Sequence, residues 1–153
     1  MPVKAWRPAA ERVLATFWIG GLWIVGYAVA PALFSLLDDR QLAGMLAGQM
    51  FHIMSYVGLL AGSLLLISLL LSAGSSWQRS WRVWVLLAML ALVIVGGFIL
   101  QPMMQELKLQ ELIPGSEQAT RFRLLHGISS LLYLLTSLLG LALVAVGVRP
   151  DKA

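Results

Sequence analysis

Residues 83–105 read VWVLLAMLALVIVGGFILQPMMQ, without one charged side chain. A helix needs about 20 apolar residues to cross the ~30 Å hydrocarbon core of a bilayer, and this run meets that length. Three further runs do the same: Val13 to Leu37, Gln41 to Gln78 and Leu124 to Val148 hold no Asp, Glu, Lys or Arg. Lipid offers the backbone no hydrogen-bond partners, so each span must satisfy its own amides as a helix. The sequence therefore predicts an all-α integral membrane four-helix bundle. The spans are about 13–37, 43–72, 83–104 and 122–148, in a single membrane domain over residues 1–153. At ~1.5 Å per residue the run from Gln41 to Gln78 exceeds the core almost twofold. No polar turn divides it, so it is one span that starts in the interface after Asp38 and Asp39. It ends at the Gly74-Ser75-Ser76 turn.

Composition agrees. The chain is 59% hydrophobic and 12% charged, with mean hydropathy +0.85, against about 25% charged residues in a soluble domain. Cysteine is absent, which excludes disulfides, thiolate metal sites and thiol chemistry. On a soluble protein the net charge of +4 would suggest nucleic acid. Here the basic residues flank the spans, where they set orientation and meet anionic lipid headgroups, so the partner is the lipid bilayer. Lys4, Arg7 and Arg12 before an apolar run, with Ala28-Val29-Ala30 beyond it, have the look of a signal peptide. The run is longer than the usual ~7–15 residue core of such a peptide, and Pro31 would follow the cut, so the segment is expected to be an uncleaved first span.

With four spans, both termini and the second loop share a side. That side carries Lys4, Arg7, Arg12, Arg79, Arg82, Arg149 and Lys152, against Arg40, Lys108, Arg121 and Arg123 opposite. The positive-inside bias places both N and C termini in the cytoplasm, with Trp77, Trp81 and Trp84 at that interface. On the outer side the loop from Gln105 to Thr120 holds the Pro114-Gly115 turn and Glu111. Ser116 is positioned to cap a helix with Glu117 in its first turn.

Helical spacing sorts the spans into faces. In the second, Gly44, Gly48, Ser55, Gly58 and Gly62 form a small-residue seam suited to close helix packing, and equally to a homo-oligomer or a membrane partner. Beside it run Met45, Gln49, His52, Tyr56 and Ser63, whose polar members are expected to face protein. The fourth span aligns Arg123, His126, Ser130, Tyr133, Ser137 and Gly140. The first aligns Thr16, Gly20, Trp23, Tyr27 and Phe34, with a kink expected at Pro31. In the third, Gly96, Gly97, Gln101 and Pro102 interrupt an apolar surface. His52, His126, Gln49, Gln101 and Arg123 fall at similar depth, so a polar pocket opening toward the periplasm is expected.

His52 and His126 are the only ionisable side chains within the four charge-free runs other than tyrosine, and such groups in lipid are candidate functional residues. The expected cofactor is haem b held by both imidazoles, with Arg121 and Arg123 on the propionates. Copper is the alternative: imidazole and thioether suit Cu(I), and Met45, seven residues from His52, shares its face. The string Met50-x-His52-x-Met54 does not, because residues two apart point ~200° apart on a helix. A purely structural role, each histidine bonding a neighbouring helix, contributes about 0.6–2 kcal/mol and needs no cofactor. No enzyme motif stands out, and the charge-free runs hold no carboxylate for a proton relay.

Several short elements occur together: WIGGLW at 18–23, GYAVAP at 26–31 with Leu33-Phe34, Ala43-Gly44 and Ala47-Gly48 before Phe51, QPMM at 101–104 and LHGIS at 125–129. From Val13 to Val148 the chain resembles a bacterial inner-membrane family of four-helix proteins that itself looks related to eukaryotic transmembrane protein 205. More distantly it resembles the CopD-type copper-resistance membrane domain and the haem-binding HemJ-type protoporphyrinogen oxidase. The resemblance implies a multi-pass protein of the bacterial inner membrane without an assigned activity, for which haem and copper are both expectations. Of the site residues it carries over only His126, with the Pro31 and Pro102 elements. His52 rests on the residues alone.

Overall fold

The computed structural model describes residues 6–109 and 115–147, apart from the side chains of residues 75 and 76. Lys4, Glu111, Pro114, Val148, Arg149 and Lys152 lie outside the described residues. Four helices are long and apolar enough to cross a membrane: α1 (Arg7–Leu36), α2 (Arg40–Ala73), α3 (Trp81–Leu109) and α4 (Glu117–Val146). Each packs on the next and α4 closes against α1. Among the described residues there is no strand.

Each helix starts before its charge-free run because flanking polar residues cap or continue it. Pro8 sits in the first turn of α1, where its missing N–H costs nothing. The Asp39 carboxylate accepts from Gln41 N at 2.8 Å and Leu42 N at 3.1 Å, fixing the start of α2. The Ser116 hydroxyl accepts from Ala119 N at 3.1 Å, and α4 starts at Glu117 as expected. The long second run is one continuous helix that Gly74 ends at φ +56°, a conformation open to glycine.

The two halves of the bundle are built differently. Near the chain termini, Trp18, Leu65, Val83, Leu86, Met89 and Leu143 are fully buried and form a close-packed core. Gly58 and Gly62 give the Trp18 indole its place, so the small-residue seam of α2 is filled from within the chain. Glu11 is buried beside that core, one turn before Ala15, and accepts from the Ser68 hydroxyl. Arg82 Nε donates to Gly147 O at 2.8 Å, tying the start of α3 to the end of α4.

The far half, called distal below, is opened by two turns wider than an α-helix. Val25–Val29 in α1 and Val95–Leu100 in α3 are π-helical, closing through Ala30 N–H to Val25 O and Gln101 N–H to Gly96 O. Pro31 and Pro102 follow directly. A helical proline lacks its own N–H and presses its ring on the carbonyl four residues back, here Tyr27 and Phe98. One extra residue in the turn moves that carbonyl aside, so each helix runs on through its proline. The kink expected at Pro31 is taken up in this way.

At the wide turn of α3 the backbone approaches α2 closely. A Cβ at Gly97 would lie 2.5 Å from Ser55 Cβ, whereas a Cβ at Gly96 meets nothing within 4 Å. Gly97→Ala should therefore cost about 1–3 kcal/mol of stability through overpacking. Gly96→Ala should be neutral or stabilising by up to about 1 kcal/mol. Reversible unfolding of both variants in detergent micelles checks the contrast; equal stabilities would contradict the α2–α3 packing described here.

Candidate functional site

The distal half encloses a cavity of about 860 Å³ between all four helices, within the ~300–1,000 Å³ range of small-molecule sites. Its apolar walls include Leu22, Ala30, Ala47, Leu92 and Val93. Small residues create the space, and an aromatic wall bounds it. Phe51 meets Tyr133 edge-on at 5.0 Å, Tyr133 meets Tyr27 at 6.2 Å, and Tyr27 meets Trp23 at 6.2 Å. Gly26 admits the Tyr133 ring: a Cβ there would lie 2.9 Å from Tyr133 Cζ.

The tyrosine hydroxyls are committed to the fold. Tyr133 donates to the Leu22 carbonyl, beside the π turn of α1. Tyr27 donates to Ser137 Oγ at 3.1 Å, and Ser137 donates to Tyr133 O at 2.9 Å. Buried polar groups in lipid need such partners, and these bonds hold the aromatic wall rigid. Gln101 differs. It is 9% exposed, lines the cavity, and its side chain makes no hydrogen bond among the described residues, so the side-chain amide is available to a ligand.

Two cations stand at the mouth. Arg40 begins α2, and Lys108 lies in the last turn of α3; both line the cavity. Lys108 is half-buried, and its Nζ donates to Gly44 O at 3.0 Å while lying 5.7 Å from the centre of the Phe122 ring. Gly44 and Gly48 leave the groove in α2 along which Lys108 and Gln105 lie. His126 completes this rim, its ring stacked on Phe122 at 6.0 Å and 9°.

Of the residues expected at a site, the fold brings His126, Gln101 and Tyr133 to the cavity. His52, Tyr56, Gln49, Met45 and Arg123 do not line it. His52 sits between α2 and α3, 4.9 Å from Tyr56 and 6.0 Å from Phe98, ring centre to ring centre. Met45, Gln49 and Tyr56 are exposed on the outside of α2, which corrects the expectation that this stripe faces protein within the chain. Arg123 is exposed, 3.4 Å from Thr120 Oγ1. For haem, the cavity thus offers one imidazole, aromatic walls and two cations. For copper, Met54 and Met104 share the cavity with His126, whereas Met45 does not. No group of three His, Asp or Glu side chains comes together among the described residues.

Arg40 and Lys108 are the site residues that sequence reasoning missed. For Lys108 the signal is spacing: Gln101, Met104 and Lys108 recur at intervals of three and four and share one helix face, whereas Arg40 carries no such signal. Glu11 was missed too; it precedes Ala15, Trp18 and Leu22 on the buried face of α1.

No curated protein and no solved structure matches the chain. A family model described as a domain of unknown function, DUF4149, matches residues 13–112 of the 153. That stretch includes Arg40, Gln101 and Lys108 and stops short of His126. Most of the first membrane-length helix, all of the next two, both proline-bounded π turns and the two cations of the mouth therefore lie in the matched segment, and the chain belongs to the DUF4149 family.

Proposed function

We propose that this multi-pass membrane protein binds an amphipathic molecule with an acidic head in the distal cavity. The head would rest on Lys108 and Arg40 and the apolar body against Leu22, Phe34, Phe51 and Val93. Lys108 carries this reading. Its ammonium is half-buried at the mouth of a cavity whose walls are otherwise mainly apolar and aromatic. A cation beside hydrocarbon is costly unless it meets counter-charge or water, so an anion at the mouth is favoured twice, by Coulomb attraction and by relief of that cost. Arg40 adds a planar fork suited to carboxylate or phosphate oxygens. Gln101 offers a further amide within the cavity. The bias of basic residues toward the opposite end supports a mouth on the outer side of a bacterial inner membrane.

A matched pair of probes tests the proposal. In nanodiscs of zwitterionic lipid, tetradecanoate should raise the thermal midpoint of the protein at concentrations where tetradecan-1-ol does not. A hydrogen bond to a charged group contributes about 1.5–3 kcal/mol, so Lys108→Gln should weaken the acid by about 10-fold to 100-fold and leave the alcohol unchanged. Equal responses to acid and alcohol would remove the acidic head from the proposal.

A second reading is favoured by one side chain. His126 stands on the cavity rim beside the two cations, and haem b is an apolar macrocycle bearing two carboxylates. His126 would offer its imidazole to the iron, and Arg40 and Lys108 would meet the propionates. Protein purified in mild detergent from haem-replete cells should then show a Soret band that His126→Ala abolishes and His52→Ala leaves in place. A colourless protein at good yield, or a band dependent on His52, would reject this reading.

A further inference from the structure

The outer surface of α2 carries a pattern that the cavity does not use. Leu46, Ile53, Leu60 and Ile67 recur every seventh residue, and all are exposed, at 40%, 48%, 66% and 54%. Leu42, Gln49, Tyr56 and Ser63 form a second series with the same period, offset from the first so that steps of four and three alternate. From Gln49 on, the exposed face runs through Ile53, Tyr56, Leu60, Leu64, Ile67 and Leu71, one continuous outward stripe of the helix, with Ser63 half-buried at its edge. The inward face of α2 is a different one, filled by side chains from α1 and α3.

The polar members make the pattern informative. Gln49 is exposed, Tyr56 is 55% exposed, and neither side chain makes a hydrogen bond among the described residues; nor does the His52 imidazole beside them. At ~1.5 Å per residue Gln49 and Tyr56 lie about 14 and 24 Å along α2 from Arg40, at hydrocarbon depth. Leaving an amide, an imidazole and a phenol unpaired there costs several kcal/mol. Amide and phenol are each both donor and acceptor, so Gln49 and Tyr56 satisfy themselves when met by their own copies. A two-fold axis along the membrane normal would bring Gln49 to Gln49 and Tyr56 to Tyr56 at equal depth, which an isologous interface requires.

We infer that the protein forms a homodimer in the membrane through α2 against α2, with Leu46, Ile53 and Leu60 as the packing seam and Gln49 and Tyr56 as its hydrogen-bonding core. A polar pair at seam positions fixes register, and left-handed crossings of about +20° are the common ones in membranes. The interface leaves the cavity of each copy independent of the other.

The absence of cysteine makes the test direct. Full-length protein carrying Leu46→Cys, Ile53→Cys or Leu60→Cys, reconstituted alone in phosphatidylcholine vesicles and oxidised, should form disulfide-linked dimers. Ile99→Cys and Leu131→Cys, at residues 50% and 56% exposed on α3 and α4, should stay monomeric. Exposed substitutions of this kind leave the core intact. Gln49→Leu should weaken dimerisation by about threefold to tenfold, measured by single-molecule photobleaching of labelled protein. Absent linkage at 53 and 60, or linkage equally strong at 99 and 131, overturns the interface. A seam that cross-links to another protein in native membranes but never to itself after purification overturns the choice of a second copy.

Discussion

Within a bilayer every polar group must find its partner in the protein, and this condition orders the molecule. Serine and threonine hydroxyls on the helices turn back to carbonyls of their own helix, as Ser55 does to Phe51 O, Thr136 to Leu132 O and Ser137 to Tyr133 O. Tyr27 and Tyr133 reach across between α1 and α4. The exposed ends are capped by Asp39 and Ser116. Against that background the unpaired groups stand out. Apart from the buried Trp18 indole N–H, the ones named above gather in two places: Gln101 in the cavity, and Gln49 and Tyr56 on the outer face of α2 with the half-buried His52 beside them. The first place suits a ligand and the second a partner helix.

The contrast between the two halves has a local cause. Near the termini, large side chains meet glycines and alanines, and close packing leaves no space. In the distal half, α1 and α3 each widen by a residue just before a proline, and α2 presents Gly44, Ala47 and Gly48. The same small residues that would allow tight packing instead border a cavity, because the neighbouring helices carry the wide turns. A proline in the third helix thus acts at a distance on what the second helix can hold.

The spans were legible because absence of charge over so many residues has one physical meaning. The caps at Asp39 and Ser116 and the continuity of α2 followed from side-chain chemistry close in sequence. Which face of α2 points inward was harder. Gly48, His52 and the seam through Ile53 lie on different parts of one helix, and polarity alone drew Gln49, His52 and Tyr56 toward the interior. Packing decided otherwise, because the glycine face admits the Trp18 ring and Lys108. The π turns were invisible to any fixed helical period. Lys108 was counted only as a flanking charge and Glu11 was passed over, although each continues the buried face of its own helix.

The central claim is that the cavity holds an amphiphile by its acidic head. Native mass spectrometry of protein extracted from its own membranes, as wild type and as Lys108→Gln, tests it most directly. The account predicts a bound species whose released ligand carries a carboxylate or phosphate, prominent in the wild type and depleted in the variant. A retained ligand without an acidic group, or one bound equally by both proteins, would contradict it.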